Sequence, residues 1–450
     1  MSIIKIHKGS FVNILFGGLT FLLFLLPSTP FIINTFICLS LLYGAFNSYY
    51  YTKTIGLFHL LTLFNLIFAF FYFSKGFLHI LNFIEFAEAF KFYQIFIDLD
   101  AQKNLIFIPF IALITVNFSY FLFKTPKQNR NSKTISFLKP SLLVFLMSAP
   151  LSLYKQIKQF LFILNNGYLS IYDGSLSLLN FNPIINLSGY FNEFSYVAFV
   201  ATSPPKKRFV LVSAAFLLIR AFDLFSGRRG QFMVLLLFVL WYTNKNYFEL
   251  KINGYRFFII LLFIIPIFLI RNFVSVEAAI NNEAFIQTFL APFTNTHLIL
   301  AYVLKFGFYK FYEYPILSLL APFQLLSFAG QTHTYLEKTW GLGHHLTHYL
   351  NPDLYYAGQG IGSSFLVELY SAGPFGIIIG CVILGYVISK TSRQDTGTFF
   401  HFFSFYIVTH ILFISRTSFF IPIFKPLIYL IIFIPFLFIL DKILWKKNLH

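Results

Sequence analysis

The sequence predicts an all-α protein, a polytopic bundle of membrane-spanning helices, and three observations predict it. Hydrophobic residues make up 58% of the 450-residue chain and charged residues only 11%, whereas a water-soluble domain carries about a quarter charged. The mean hydropathy is +0.74. The apolar residues also fall into separate runs near the length that a helix needs to cross the hydrocarbon core, about 17 to 25 residues. A surface so poor in charge cannot face water, which excludes a soluble enzyme or a soluble binding module.

Taken in order, the runs are Phe11–Leu26, Phe31–Phe46, Ile55–Phe73, Leu105–Phe123, Ser141–Tyr154, Pro183–Thr202 and Phe209–Phe225. Gln231–Tyr242, Phe257–Asn272, Ser364–Ile388, Phe399–Ser415 and Phe420–Leu440 follow, which makes about 12 spans. Ser141–Tyr154 and Gln231–Tyr242 are short, so either they borrow flanking residues or the bilayer thins there. The first run follows Lys5 and Lys8 as in a signal peptide. No small-residue cleavage site follows it and a second apolar run comes at once, so it reads as a retained first helix.

The net charge of +17 does not read as a nucleic-acid surface, because the basic residues are spread through short loops rather than gathered on one face. That spread fits the positive-inside rule. A cytoplasmic N-terminus puts the dense groups, such as Lys124 to Lys139 and Lys206 to Arg208, on the inner side, and both termini are then cytoplasmic. The chain reads as a single integral-membrane domain over 1–450, with a large outer loop at 273–363 between spans 9 and 10. Segments 74–104 and 155–182 are amphipathic and are expected to lie on the interface or dip into it. Cys38 and Cys381 lie inside apolar runs and offer neither a disulfide framework nor a metal spacing.

Four arginines stand apart from the loop lysines: Arg228 and Arg229 in SGRRG, Arg271 in IRNF, and Arg416 in ISRTSFF. On this topology all lie at one depth, on the side where positive charge is disfavoured. A guanidinium fork matches two phosphate oxygens, so the set reads as a pyrophosphate clamp; a single arginine of this kind more often snorkels to headgroups. The second constellation is GQGIGSSFLVELYSAGPFG. Gly358, Gly360 and Gly362 allow close backbone approach to a ligand, and Ser363 or Ser364 is placed to cap the following helix. A helix N-terminus favours an anion, and Glu368 falls one turn inside, as an arginine's partner or as a catalytic group. No strand precedes the glycines, so they are no dinucleotide signature.

His344, His345 and His348 form a third group, with His345 and His348 placed to share a helical face. No carboxylate or cysteine completes a metal set, so neither a metal nor a cofactor is expected. A histidine here suits a general base for a hydroxyl or a donor to a polar ligand. Within the membrane, Arg220 and Asp223 are spaced to pair. Glu193 is the other intramembrane acid and a candidate site residue.

The glycine constellation resembles the Wzy O-antigen polysaccharide polymerases, with their Gly-x-Gly, Ser, Glu-Leu-Tyr step and Phe-Gly turn into a span. SGRRG, ISRTSFF and the long outer loop also look like family positions. The topology is similar over the whole chain, and the motifs over about 190–275 and 330–420. The resemblance implies a glycosyltransferase of the bacterial inner membrane whose site faces the periplasm. Its substrates would be undecaprenyl-pyrophosphate-linked oligosaccharide repeat units. The growing chain would leave its pyrophosphate carrier and join a hydroxyl of the incoming unit. Arg228, Arg229, Arg271 and Arg416 would stabilise the developing charge without a metal. Glu368 or His345 would take the proton. Gly360, Gly362, Ser363, His348 and Glu193 would line the substrate, and Trp340, Tyr349, Tyr355 and Tyr356 would stack on sugars. Membrane lipid, a chain-length-regulating co-polymerase and a flippase are the implied partners. An O-antigen ligase shares the topology and donor. A flippase or other transporter is the rival of another class, but no two related halves are visible.

Overall fold

The computed structural model describes residues 8–86, 97–123, 137–166, 179, 181–225, 229–248, 250, 296–308, 313–324, 331–356, 358, 360–393, 398–420, 427 and 429–445. Among them every regular element is helical. The first nine are α1 Lys8–Leu25, α2 Pro30–Ile55, α3 Leu60–Tyr72, α4 Ser74–Ile80, α5 Leu99–Leu122, α6 Leu138–Asn166, α7 Pro183–Ala201, α8 Lys206–Phe225 and α9 Arg229–Asn246. After α10, Thr296–Phe306, come α11 Leu317–Leu320, α12 His333–Lys338, α13 Leu342–Leu350, α14 Pro352–Tyr356, α15 Phe365–Tyr370, α16 Gly373–Arg393, α17 Thr398–Phe413 and α18 Ile434–Trp445.

Local chemistry sets several starts. Thr29 before Pro30, Asp98 before Leu99 and Asn182 before Pro183 each accept a first-turn N–H, at 3.3, 2.7 and 3.1 Å respectively. These are the residues that satisfy helix N-termini, and proline suits the first helical position. α2, α5 and the Gly373–Ser392 part of α16 are long and apolar enough to cross a membrane, and α3 with α4 makes a fourth such element bent by 59°. The chain is therefore membrane-embedded.

The structure differs from the sequence reading at two breaks. The Ile55–Phe73 run starts its helix only at Leu60 and turns at Phe73 into α4. Residues 74–80, expected to lie on or dip into the interface, form a helix that buries Ser74, Lys75, Gly76 and Leu78, and 99–104 open α5. The Ser364–Ile388 run divides into α15 and α16, with Gly373 at φ 72° on the break, a backbone conformation that costs other residues. The two short runs do borrow flanks, growing to 29 residues in α6 and 18 in α9. The run Phe257–Asn272 and the whole of 273–295 lie outside the described residues.

The chain divides into two compact units, one of residues 1–127, 280–393 and 410–420 and one of 128–279, 394–409 and 421–450. In the first, α5 packs against α1, α2, α3 and α16. A chain of polar side chains joins four of its helices. Asn65 and Asn117 exchange hydrogen bonds at 2.9 and 2.8 Å, Asn117 also donates to the Tyr43 hydroxyl at 3.2 Å, and Tyr43 donates to Asn13 at 2.8 Å. Apolar contacts alone give little drive for helices to associate in lipid, so such bonds hold a bundle together. Asn117→Leu takes away the donor to Asn65 Oδ1 and to the Tyr43 hydroxyl, leaving Asn65 only its bond to the Leu61 carbonyl and Tyr43 only its bond to Asn13. It is expected to cost about 1–2 kcal/mol, read as a lower unfolding temperature in detergent. In the second unit α6 runs along α7 and packs on α8, and α18 lies on α6.

Candidate functional site

The glycine segment is stitched onto the histidine helix. Gly362 takes φ 86°, a conformation that other residues adopt only with strain. On α13, a Cβ at Gly343 would run into the Gly362 carbonyl, so only glycine lets the two backbones pass. Thr347 of α13 donates its hydroxyl to the Gly343 carbonyl at 2.6 Å and accepts the Ile361 N–H at 3.0 Å. Gly360 lies exposed beside this seam, and a Cβ there would meet Gln331 at 3.5 Å.

His345 is held by one ring nitrogen. Its Nε2 lies 2.7 Å from the Thr339 carbonyl; a carbonyl only accepts, so Nε2 carries the proton and the neutral ring has its lone pair on Nδ1. Burial keeps this imidazole below its ordinary pKa, with the Thr339 bond opposing and His348 adding repulsion. The ring is therefore neutral at pH 7. His348, half-buried, faces the Tyr356 hydroxyl at 3.3 Å. Of the aromatics considered for sugar stacking, Tyr349 and Tyr356 are exposed and Trp340 half-buried, whereas Tyr355 is fully buried. Among the described residues no three His, Cys, Asp or Glu side chains gather as a metal site would require.

Glu368 lies on α15, before the break and outside the Gly373–Ser392 span, and is only 2% exposed. Its Oε1 accepts the Ser363 hydroxyl at 2.6 Å and its Oε2 accepts the Phe419 N–H at 2.8 Å. Ser363 thus serves the carboxylate. Ser364, at the N-cap position of α15, makes no side-chain cap bond. Among the described residues no arginine lies within ion-pair distance of Glu368. Its bond to Phe419 instead fastens the segment that follows Arg416. Arg416 is exposed, at the end of a 3-10 turn, Ile414–Arg416, that packs on α15 and α3. His410 donates from Nε2 to the Phe419 carbonyl at 3.1 Å and steadies the same loop.

Burial pushes the Glu368 carboxyl up to about 7, against the Ser363, Phe419 and Ser418 bonds, which hold it down. A carboxyl raised in the folded state binds more protons there than in the unfolded chain, so stability falls as pH rises from the unfolded carboxylate range, about 4.3, toward 7. Glu368→Gln is expected to flatten that fall, as read by thermal unfolding across pH 4 to 8.

The second unit holds Glu193. Its Oε2 pairs with Arg220 at 3.1 Å, and Arg220 also reaches Asp223 at 3.7 Å. The predicted Arg220–Asp223 pair is present, and Glu193 joins it as a third member. Arg228 and Arg271 lie outside the described residues. Arg229 opens α9, and its side chain lies outside them too. The structure thus brings together Gly360, Gly362, Ser363, Glu368, the histidine helix and the Arg416 turn. Sequence reasoning missed Tyr72, whose hydroxyl lies 2.6 Å from the Ser364 hydroxyl. As one of 27 tyrosines it has no local signal, save that it closes a helix inside an apolar run.

A comparison with family models finds that the one described as O-antigen polysaccharide polymerase Wzy matches residues 10–448. No curated protein and no solved structure matches the chain.

Proposed function

The chain belongs to the O-antigen polysaccharide polymerase Wzy family, whose activity is the joining of O-antigen repeat units in a membrane; from that membership we propose that it extends chains carried on undecaprenyl pyrophosphate at the periplasmic face of the bacterial inner membrane. In this reading the 450 residues form one membrane domain of about twelve spans. Both termini are cytoplasmic, and the loop 273–363 is periplasmic.

The bond between the growing chain's anomeric carbon and the carrier's pyrophosphate breaks, and the pyrophosphate leaves with the electron pair. A hydroxyl of the incoming repeat forms the new glycosidic bond at that carbon. Its proton passes to Nδ1 of His345. Arg416 binds the pyrophosphate and stabilises the charge it gains. Arg chemistry suffices for a leaving group this good, so no metal is required. Exposed Tyr349 and Tyr356 offer faces for sugars.

The observation that carries this reading is the fixed Nε2–H of His345, which puts a neutral base on the helix stitched to the glycine segment. Between the two proton acceptors that the residues suggested, it favours His345. Glu368 is buried with both oxygens engaged, which suits holding the Arg416 turn. The test is polymerisation by the purified protein in proteoliposomes supplied with lipid-linked repeat units. Each added unit should release one carrier pyrophosphate, and EDTA should leave the rate unchanged. Release of a monophosphate carrier, or arrest by EDTA, contradicts the mechanism. A co-polymerase and a flippase would act beside this step.

A further inference from the structure

The turn that carries Arg416 is fastened to the head of α15 at two points. Glu368 supplies one, through the Phe419 N–H. The other comes from Tyr72, at the far end of the sequence. Tyr72 closes α3 where the helix breaks and α4 leaves at 59°. Its side chain is 1% exposed, its ring tilted on Phe68 at 4.6 Å and edge-on to His297 and Phe365 at 6.0 and 6.5 Å. Three neighbours thus fix where the hydroxyl points.

That hydroxyl lies 2.6 Å from Ser364 Oγ and 3.3 Å from the Ser415 carbonyl. A phenol has one proton. If it goes to the Ser415 carbonyl, the Ser364 hydroxyl must donate to the phenolic oxygen. Both serines are buried, at 0% and 1% exposure, so neither contact has water as a ready substitute. Ser364 accepts the Glu368 N–H on its carbonyl at 3.1 Å, and Ser415 is the residue before Arg416. The break after Tyr72 has its own support: Gly76 of α4 lies so near α2 that a Cβ would fall 2.8 Å from the Ile37 side chain.

We infer that Tyr72 is a positioning residue for glycosyl transfer, its hydroxyl fixing the Arg416 turn against the start of α15 so that the guanidinium meets the donor's pyrophosphate. The inference rests on the phosphate-binding role proposed for Arg416. Tyr72 itself touches no substrate. It acts on where Arg416 stands, and so on donor binding more than on proton transfer.

Tyr72→Phe keeps the packed ring and deletes only the hydroxyl. In proteoliposomes it should raise KM for the lipid-linked donor roughly five- to tenfold, the loss expected when a buried hydroxyl is removed from its hydrogen-bond partners. The kcat should stay within about twofold, and the acid limb of the pH–rate profile, set by His345, should not move. Ser364→Ala should raise the donor KM by less, because Tyr72 keeps its bond to the Ser415 carbonyl, and Tyr72→Phe with Ser364→Ala should do no more than Tyr72→Phe alone, which already removes the bond to Ser364. A wild-type donor KM in Tyr72→Phe beside a raised one in Arg416→Ala overturns the inference alone. So does a loss confined to kcat that tracks the fraction of folded protein. An unchanged donor KM in Arg416→Ala removes the phosphate role beneath it.

Discussion

Replacing His345 with alanine is expected to slow polymerisation by about 10²- to 10⁴-fold, the range that a positioned general base supplies. The donor KM should change little, because the imidazole acts on the acceptor hydroxyl and not on the pyrophosphate. The wild-type rate should fall as the pH drops below the ordinary imidazole range. The base works only when neutral, and burial lowers the pH at which it protonates. His345→Ala should show no such limb. The helix itself should survive, since Leu342 and Leu346 are buried and the Thr347 bond to Ile361 stays intact. Initial rates between pH 5 and 8, with unfolding temperatures alongside, check all of this. A full rate in His345→Ala would return the proton to Glu368.

Arg416→Ala is expected to lower kcat/KM for the lipid-linked donor by roughly 10²- to 10³-fold, as loss of a transition-state donor does elsewhere. Both parameters should change, because the pyrophosphate is bound in the ground state and gains charge as it leaves. Arg416→Lys should recover only part, since an ammonium is a point charge without the planar fork. Arg416 is exposed on a short turn, so the unfolding temperature should hardly move. Steady-state kinetics on the three proteins, with donor varied at saturating acceptor, decide it.

Much of this organisation was legible in the sequence, for local reasons. Apolar runs mark helices because a membrane interior demands satisfied backbone bonds, and the glycines at 358, 360 and 362 mark a segment that must pass close to something. The three-residue spacing of Arg220 and Asp223 announced their pair. What the sequence could not display were contacts made at long range. The Glu368 carboxylate meets the Phe419 N–H 51 positions away, and Tyr72 meets Ser364 at a separation of 292. Neither is written in spacing or composition. The break between α15 and α16 was hidden for another reason: an apolar run looks the same whether its helix continues or turns, and only Gly373 hints at the turn. Ser364 shows the limit of propensity. It occupies the N-cap position, yet its hydroxyl goes to Tyr72 and not to the helix, a tertiary partner outcompeting a local one.

In the proposed mechanism the glycine segment, the histidine helix and the Arg416 turn form one donor-binding site open to the periplasm. Ser363→Cys, made with Cys38 and Cys381 replaced by serine, reports on that site, because Ser363 sits half-buried between the glycines and Glu368. Whole cells would be treated with a maleimide that cannot cross the inner membrane, and the purified protein with the same reagent with or without lipid-linked repeat units. Labelling from outside the membrane and protection by the lipid-linked repeat are expected. Labelling only after the cytoplasmic side is exposed, or labelling that the donor leaves untouched, would contradict the mechanism.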